Sequence, residues 1–298
     1  MTEKKPNKKS AFGWLLPKRF RKDYPLVPVV RLSGAIGMAT PLNPGLSLSG
    51  VAGVLGKAFS TGGAQAVAVS INSPGGSPVQ SNLIMRRIRA LAEEQSIPVY
   101  TFCEDVAASG GYMLACAGDE IYADPSSIIG SIGVVSSGFG FTGAMEKLGV
   151  ERRVHTAGER KVILDPFQPE KAEDIEQLLE IQKDIHDLFK ELVRERRGDT
   201  LNGEEKKLFS GEFWTAEKAR ELGLIDGLGD LRSVMREKLG ENVRLKVMEQ
   251  DRSWLKRRLG MSGGRPQWSL LEGGVRLNLA DDLISAIEAR ALWSRFGL

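Results

Sequence analysis

The chain has 298 residues, 42% of them hydrophobic and 27% charged, with a formal net charge of +3. That length and apolar content suffice for a full core, and so small a net charge gives no ground for a nucleic-acid partner. Its two cysteines, Cys103 and Cys116, are too few for a disulfide framework and lie in apolar segments, which favours inert buried thiols in a reducing compartment; no ligand cluster points to a metal.

Residues 1–23 are basic, with Lys4, Lys5, Lys8, Lys9, Lys18, Arg19, Arg21 and Lys22 set against Glu3 and Asp23. The embedded Phe12-Gly13-Trp14-Leu15-Leu16-Pro17 is too short for a signal-peptide core or a membrane span. Residues 1–25 therefore read as a basic tail, disordered in the first reading. In the second, Trp14, Leu15 and Phe20 touch an anionic membrane surface. With no signal peptide or transmembrane anchor evident, the expected location is the cytoplasm, with peripheral membrane association as the variant.

A strand is predicted at Val27–Leu32. Residues 32–56 carry no charge but contain Pro41, Asn43, Pro44 and several glycines, which suits a mobile loop near a substrate groove. Further strands are predicted at Ala66–Ile71, Val99–Phe102 and Glu120–Tyr122. Helices are predicted at Pro78–Glu94, Ser109–Cys116, Glu170–Arg197 and Thr215–Leu222. This alternation indicates an α/β domain over residues 26–240. A helical extension, 241–298, follows. Its second helical candidate, Leu279–Phe296, has an apolar face suited to packing on its own domain or a neighbouring subunit.

The chemistry concentrates at two glycine turns. Val106-Ala107-Ala108-Ser109-Gly110-Gly111-Tyr112 places a small nucleophile between alanines and a glycine pair. A nucleophilic serine needs an exposed Oγ and nearby backbone N–H groups, and neighbours without bulk permit both. Upstream, Ser73-Pro74-Gly75-Gly76-Ser77 reads as a strand-to-helix turn. There the Gly76 N–H, paired with the Gly110 N–H, would form an oxyanion hole. Either turn by itself is an ordinary feature of α/β proteins.

The serine also needs a base. His186 sits in the charged amphipathic helix and reads as a helix-surface residue, while His155 follows a strand-like run without a nearby carboxylate. The more economical base is Lys161, in Gly158-Glu159-Arg160-Lys161. A lysine acts as a base only when desolvation favours its neutral form, and serine–lysine dyads are an established alternative to the triad. Arg160 beside it cannot serve. A solvated surface lysine is the plain alternative.

Together these motifs resemble peptidase family S49, the signal peptide peptidase A or protease IV family, in its short single-repeat form. The resemblance runs through Ser73–Gly76, Glu104–Tyr112, Ala115–Ala123, Gly130–Val134, Gly158–Pro166, Gly211–Thr215 and Ala219–Gly229. It covers roughly residues 27–235, with one departure: the family shows Gly-Lys-Tyr-Lys where this chain has Gly-Glu-Arg-Lys. The resemblance implies a Clp protease/crotonase-like fold of repeated ββα units. It also implies Ser109 as nucleophile, Lys161 as general base, Ser131 as the hydroxyl that holds the lysine amine, and Gly76 and Gly110 as oxyanion donors. It implies no cofactor, and apolar peptide substrates such as signal-peptide remnants. In two-repeat members the serine and lysine come from different repeats, so a single-repeat chain implies a ring-like homo-oligomer that shares its sites. The rival readings are a crotonase-like acyl-CoA enzyme and a catalytically silent scaffold of the same fold.

Overall fold

The computed structural model describes residues 24–37, 45–158, 160–249, 287 and 290–298. β1 (Leu26–Ser33) and β2 (Val67–Ser73) are apolar runs that pair in parallel, with Val29 opposite Ala68 and Leu32 opposite Ile71. Between them lies α1 (Leu48–Phe59), and α2 (Pro78–Gln95) follows β2. β3 (Val99–Ala108) leads directly into α3 (Gly110–Ala115). After these come β4 (Glu120–Ala123), β5 (Ile128–Gly130), α4 (Thr142–Leu148) and the long α5 (Ala172–Arg197). The described chain continues through α6 (Glu205–Leu208), β6 (Phe213–Thr215), α7 (Ala216–Glu221), β7 (Gly227–Leu228), α8 (Leu231–Leu239) and β8 (Arg244–Val247).

Among the described residues the strands form one eight-stranded sheet in the order β6-β5-β3-β2-β1-β8. Every pairing is parallel except β5 with β6. The long β3 has two successive neighbours on one edge. Tyr100–Cys103 pair with β4, and Val106–Ala108 pair with β5. β7 then adds to β4. This fork ends β3 between β2 and β5, so whatever follows Ala108 emerges beside the ends of both.

Parallel strands buried on both faces read as continuous apolar runs, and here alternate residues face different layers. Val30, Leu32, Val67, Val69 and Ile71 join α1, α2 and α3 in the main core. Val27, Val29, Ala66, Ala68 and Phe102 face Val234 and Met235 of α8. Near the end of β3, Val106 and Ala108 are covered by Phe296, with Trp293 beside it. The last part of the predicted C-terminal helix therefore packs on its own domain, and the start of that prediction falls outside the described residues.

The structure replaces part of the predicted 32–56 loop with α1. Ser47 caps it by accepting the Gly50 N–H, and Val51, Val54, Leu55, Ala58 and Phe59 are buried. An uncharged sequence rich in glycine looked like loop, yet its apolar residues recur at helical spacing, and burial outweighs the poor glycine propensity. The sheet also extends past residue 240, because β8 pairs with β1. His155 lies in exposed, irregular chain rather than on a strand.

Candidate active site

Ser109 stands at the junction of β3 and α3 with φ 53° and ψ −122°, a conformation that costs a non-glycine residue free energy. Its N–H donates to Gly130 O at 2.8 Å, and its carbonyl accepts from Tyr112 N–H at 2.9 Å and Met113 N–H at 3.1 Å. All residues of α3 are buried. Tyr112 donates its hydroxyl to Leu224 O at 2.7 Å. The turn is thus held from the sheet and from the core, which is how strained backbone persists.

The Gly75-Gly76 turn lies against it. A Cβ on Gly75, which has φ +103°, would stand 2.8 Å from Ser109 Cβ and 2.9 Å from the Gly110 nitrogen. Gly76, at φ +139°, is pressed against the backbone of Ile36. Ile36 N–H donates to Gly75 O and Ser77 N–H to Ile36 O, both at 2.8 Å. Only glycine lets these backbones come so close. Among the described residues neither the Gly76 nor the Gly110 N–H has an acceptor. Two unpaired donors next to a serine hydroxyl can hold a developing oxyanion.

Ser131 follows Gly130, the partner of Ser109, and is buried at φ 54°. Its N–H donates to Glu212 O at 2.7 Å, and its carbonyl accepts from Gly133 N–H at 3.0 Å. Strand pairing therefore brings Ser109, Gly75, Gly76, Gly110 and Ser131 to one place.

Lys161 is placed differently. It lies on an arm that leaves the sheet after Ile132 and returns at α5, and it is exposed. Its N–H bonds Gly158 O at 3.3 Å, but its amine forms no hydrogen bond or ion pair among the described residues, with Ser109 and Ser131 included. The arm is braced internally. Phe141 stacks on Phe167 with centroids 5.4 Å apart, and Arg152 lies over the Phe167 ring while pairing with Asp165. The Arg152 guanidinium holds the Asp165 carboxyl below its ordinary range. Arg160 turns to the start of α5, donating to Glu173 O at 3.1 Å and lying 3.7 Å from Asp174. Outside these contacts the arm presents Val135, Phe139, Leu148 and Val150 to solvent, Phe139 at 78% exposure.

The cysteines take no part in this chemistry. Both are free and fully buried. Burial pushes the Cys116 thiol up to about 12 and Cys103 higher still, whereas a reactive cysteine needs its thiolate. His186 is not a plain surface residue: it is half-buried, with Nε2 3.2 Å from Ile132 O. The signal was available, since His186 shares a helix face with Phe189 and Val193 at i+3 and i+7.

Comparison with known proteins gives a family match. Residues 92–245, over half the chain, match the model of peptidase family S49. A Brucella abortus protein named as the Na(+)/H(+) antiporter NhaA is 56% identical over 95% of the chain, yet the chain spans only 38% of that protein. A putative signal peptide peptidase SppA from Enterococcus faecium is 29% identical, covering 74% of this chain and 64% of its own. A putative protease from Methanocaldococcus jannaschii is 34% identical over 55% of this chain and 51% of its own.

Proposed function

The chain belongs to peptidase family S49, and from that premise we propose a serine endopeptidase with Ser109 as nucleophile and Lys161 as general base. The observation that carries the reading is the strained Ser109 turn, with Gly75 against it and N–H groups on Gly76 and Gly110 that are unpaired among the described residues. Ser109 Oγ adds to the scissile carbonyl carbon as a neutral Lys161 amine takes its proton. The Gly76 and Gly110 N–H groups hold the resulting oxyanion; one such donor is worth about two to three orders of magnitude in rate. Collapse breaks the C–N bond, the lysine returns the proton to the leaving amine, and water activated by the same lysine then cleaves the acyl-enzyme. Ser131 accepts the task of orienting the amine. The substrates are apolar peptides such as signal-peptide remnants.

We place Lys161 beside Ser109 of a neighbouring copy. Its exposed amine, unbonded among the described residues, and the apolar surface of its arm support a homo-oligomer in which the arm docks on the next protomer. That interface would also supply the desolvation that a lysine base needs.

The family match favours this reading over a crotonase-like acyl-CoA enzyme. The antiporter name of the Brucella relatives is not carried over, since the chain matches 38% of that length. Among the described residues no helix is long and apolar enough to cross a membrane.

Fluorophosphonate labelling tests the reading. Ser109→Ala should lose both the label and casein cleavage, and Lys161→Arg should be inactive although its charge is kept. A label on another serine, or an active arginine variant, overturns the assignment; no label on the folded oligomer favours a silent scaffold. Mixing Ser109→Ala with Lys161→Ala under subunit exchange should restore about a quarter of the sites if they are shared. Confirmed exchange without recovery rejects sharing and leaves the chemistry standing.

A further inference from the structure

Helix α5 touches three of the segments that the peptidase reading uses, the Lys161 arm, the Ser131 turn and the end of α3, through polar side chains at different heights. Near its start, Asp174 accepts the Leu164 N–H at 3.4 Å and pairs with Arg160, next to Lys161. At mid-helix, His186 Nε2 meets the carbonyl of Ile132, the residue after Ser131. At its end, Arg196 donates from Nε to Cys116 O and from Nη2 to Gly118 O, both at 2.8 Å. Those carbonyls lie at and just past the end of α3, the helix that begins immediately after Ser109. At a rise of about 1.5 Å per residue, the contacts spread over roughly 30 Å of one rigid element.

We propose that α5 is the positioning helix of this site and that His186 is a positioning residue, which holds the Ser131 turn through the Ile132 carbonyl. The inference rests on the serine-peptidase reading above. A carbonyl oxygen only accepts, so the contact requires a proton on Nε2. Ser131 sits at a positive φ, and such backbone survives only where its surroundings over-determine it. On one side the Ser131 N–H is tied to Glu212 O. On the other, the Ile132 side chain is buried in the core and its carbonyl is met by His186. Without the imidazole that carbonyl loses its partner, and the turn can relax from the orientation in which the Ser131 hydroxyl serves the base. A histidine at this point therefore acts on the reaction without touching substrate.

The test compares His186→Leu, His186→Gln and Ser109→Ala in the full chain. His186→Leu should lower kcat about tenfold, as expected for a part-buried acceptor left unpaired, with KM changed less than about twofold. Amide exchange at residues 131–133 should speed up, while the β2 amides stay protected. His186→Gln, whose amide nitrogen reaches the same carbonyl, should recover most of kcat and of the protection. If the leucine variant does not fold, His186→Asn, with its shorter amide, takes its place. Wild-type kcat and unchanged exchange in the leucine variant, or equal losses for leucine and glutamine, overturn the proposal. If Ser109→Ala stays active, the peptidase reading falls instead, and exchange at residues 131–133 alone decides the role of His186.

Discussion

Replacing Gly75 by alanine should damage the fold and the candidate site together, because one methyl group meets both. Gly75 has φ +103°, and its new Cβ would lie 2.8 Å from Ser109 Cβ and 2.9 Å from both Ala108 O and Gly110 N. Ordinary carbon contacts lie near about 3.5–4.0 Å, so the neighbours must give, and most of them are backbone. The conformation itself costs a non-glycine residue about 1–3 kcal/mol, and overpacking adds about 1–3 kcal/mol. A central value of about 4 kcal/mol, at about 2–4 °C per kcal/mol for a domain of this size, lowers Tm by about 8–16 °C. Relief of the clash moves Ser109 and the Gly110 N–H, and a displacement of about 1 Å costs on the order of a hundredfold in rate. Gly62→Ala is the control, since its Cβ meets nothing within 4 Å. Thermal unfolding by circular dichroism and the rate of fluorophosphonate labelling read the two effects. If Gly75→Ala matched Gly62→Ala in both, the close approach of the two turns would be refuted.

Asp226→Ala should cost about 3–5 kcal/mol in urea unfolding with an unchanged m-value, because it strands the Arg197 guanidinium, which is only 6% exposed. Arg197 now holds both Asp226 oxygens, at 2.8 and 3.1 Å; a loss below about 1 kcal/mol would contradict the importance of that pair. Asp230 caps α8 by accepting the Arg232 and Ser233 N–H groups, and bonds to Ser233, its hydroxyl foremost, hold the Asp230 carboxyl below its ordinary range. A depressed carboxylate stabilises above its unfolded value, near about pH 4, and that contribution is lost as pH falls through the folded value. Asp230→Ala should thus cost about 1 kcal/mol at neutral pH, and the gap should narrow as pH falls through the folded value; a gap of undiminished size in acid would tell against a charged cap. Cys103 and Cys116, buried with raised thiol values, should react with iodoacetamide only as the chain unfolds. Rapid alkylation of the native protein would show that the core is open.

Much of the frame was legible locally. The segments that became β1, β2, β3 and β4 each hold a cluster of apolar residues that marks a strand, and the charged periodicity of α5 could be nothing but a helix. The short strands β5, β6 and β7 were not legible, because two or three residues carry no periodicity and exist only by pairing with β3, β4 and one another. The glycine pairs marked turns at Gly75-Gly76 and Ser109-Gly110, but no spacing along the chain could show that one turn abuts the other. His186 was misread as a surface residue because its partner, the Ile132 carbonyl, lies 54 residues away in sequence.

The sequence by itself thus determined what depends on near neighbours: the strand and helix segments, the positions where only glycine is comfortable, and the family to which these motifs belong. Tertiary structure alone decided which backbones come together. It set Gly75 against Ser109, tied Ser131 beside them through Gly130, and left Lys161 on an exposed arm with its amine unpartnered among the described residues. The physical reason is that local propensity depends on a few adjacent residues. The fork in the sheet at β3 is instead a property of how buried strands share one core, and the site exists only where that fork ends.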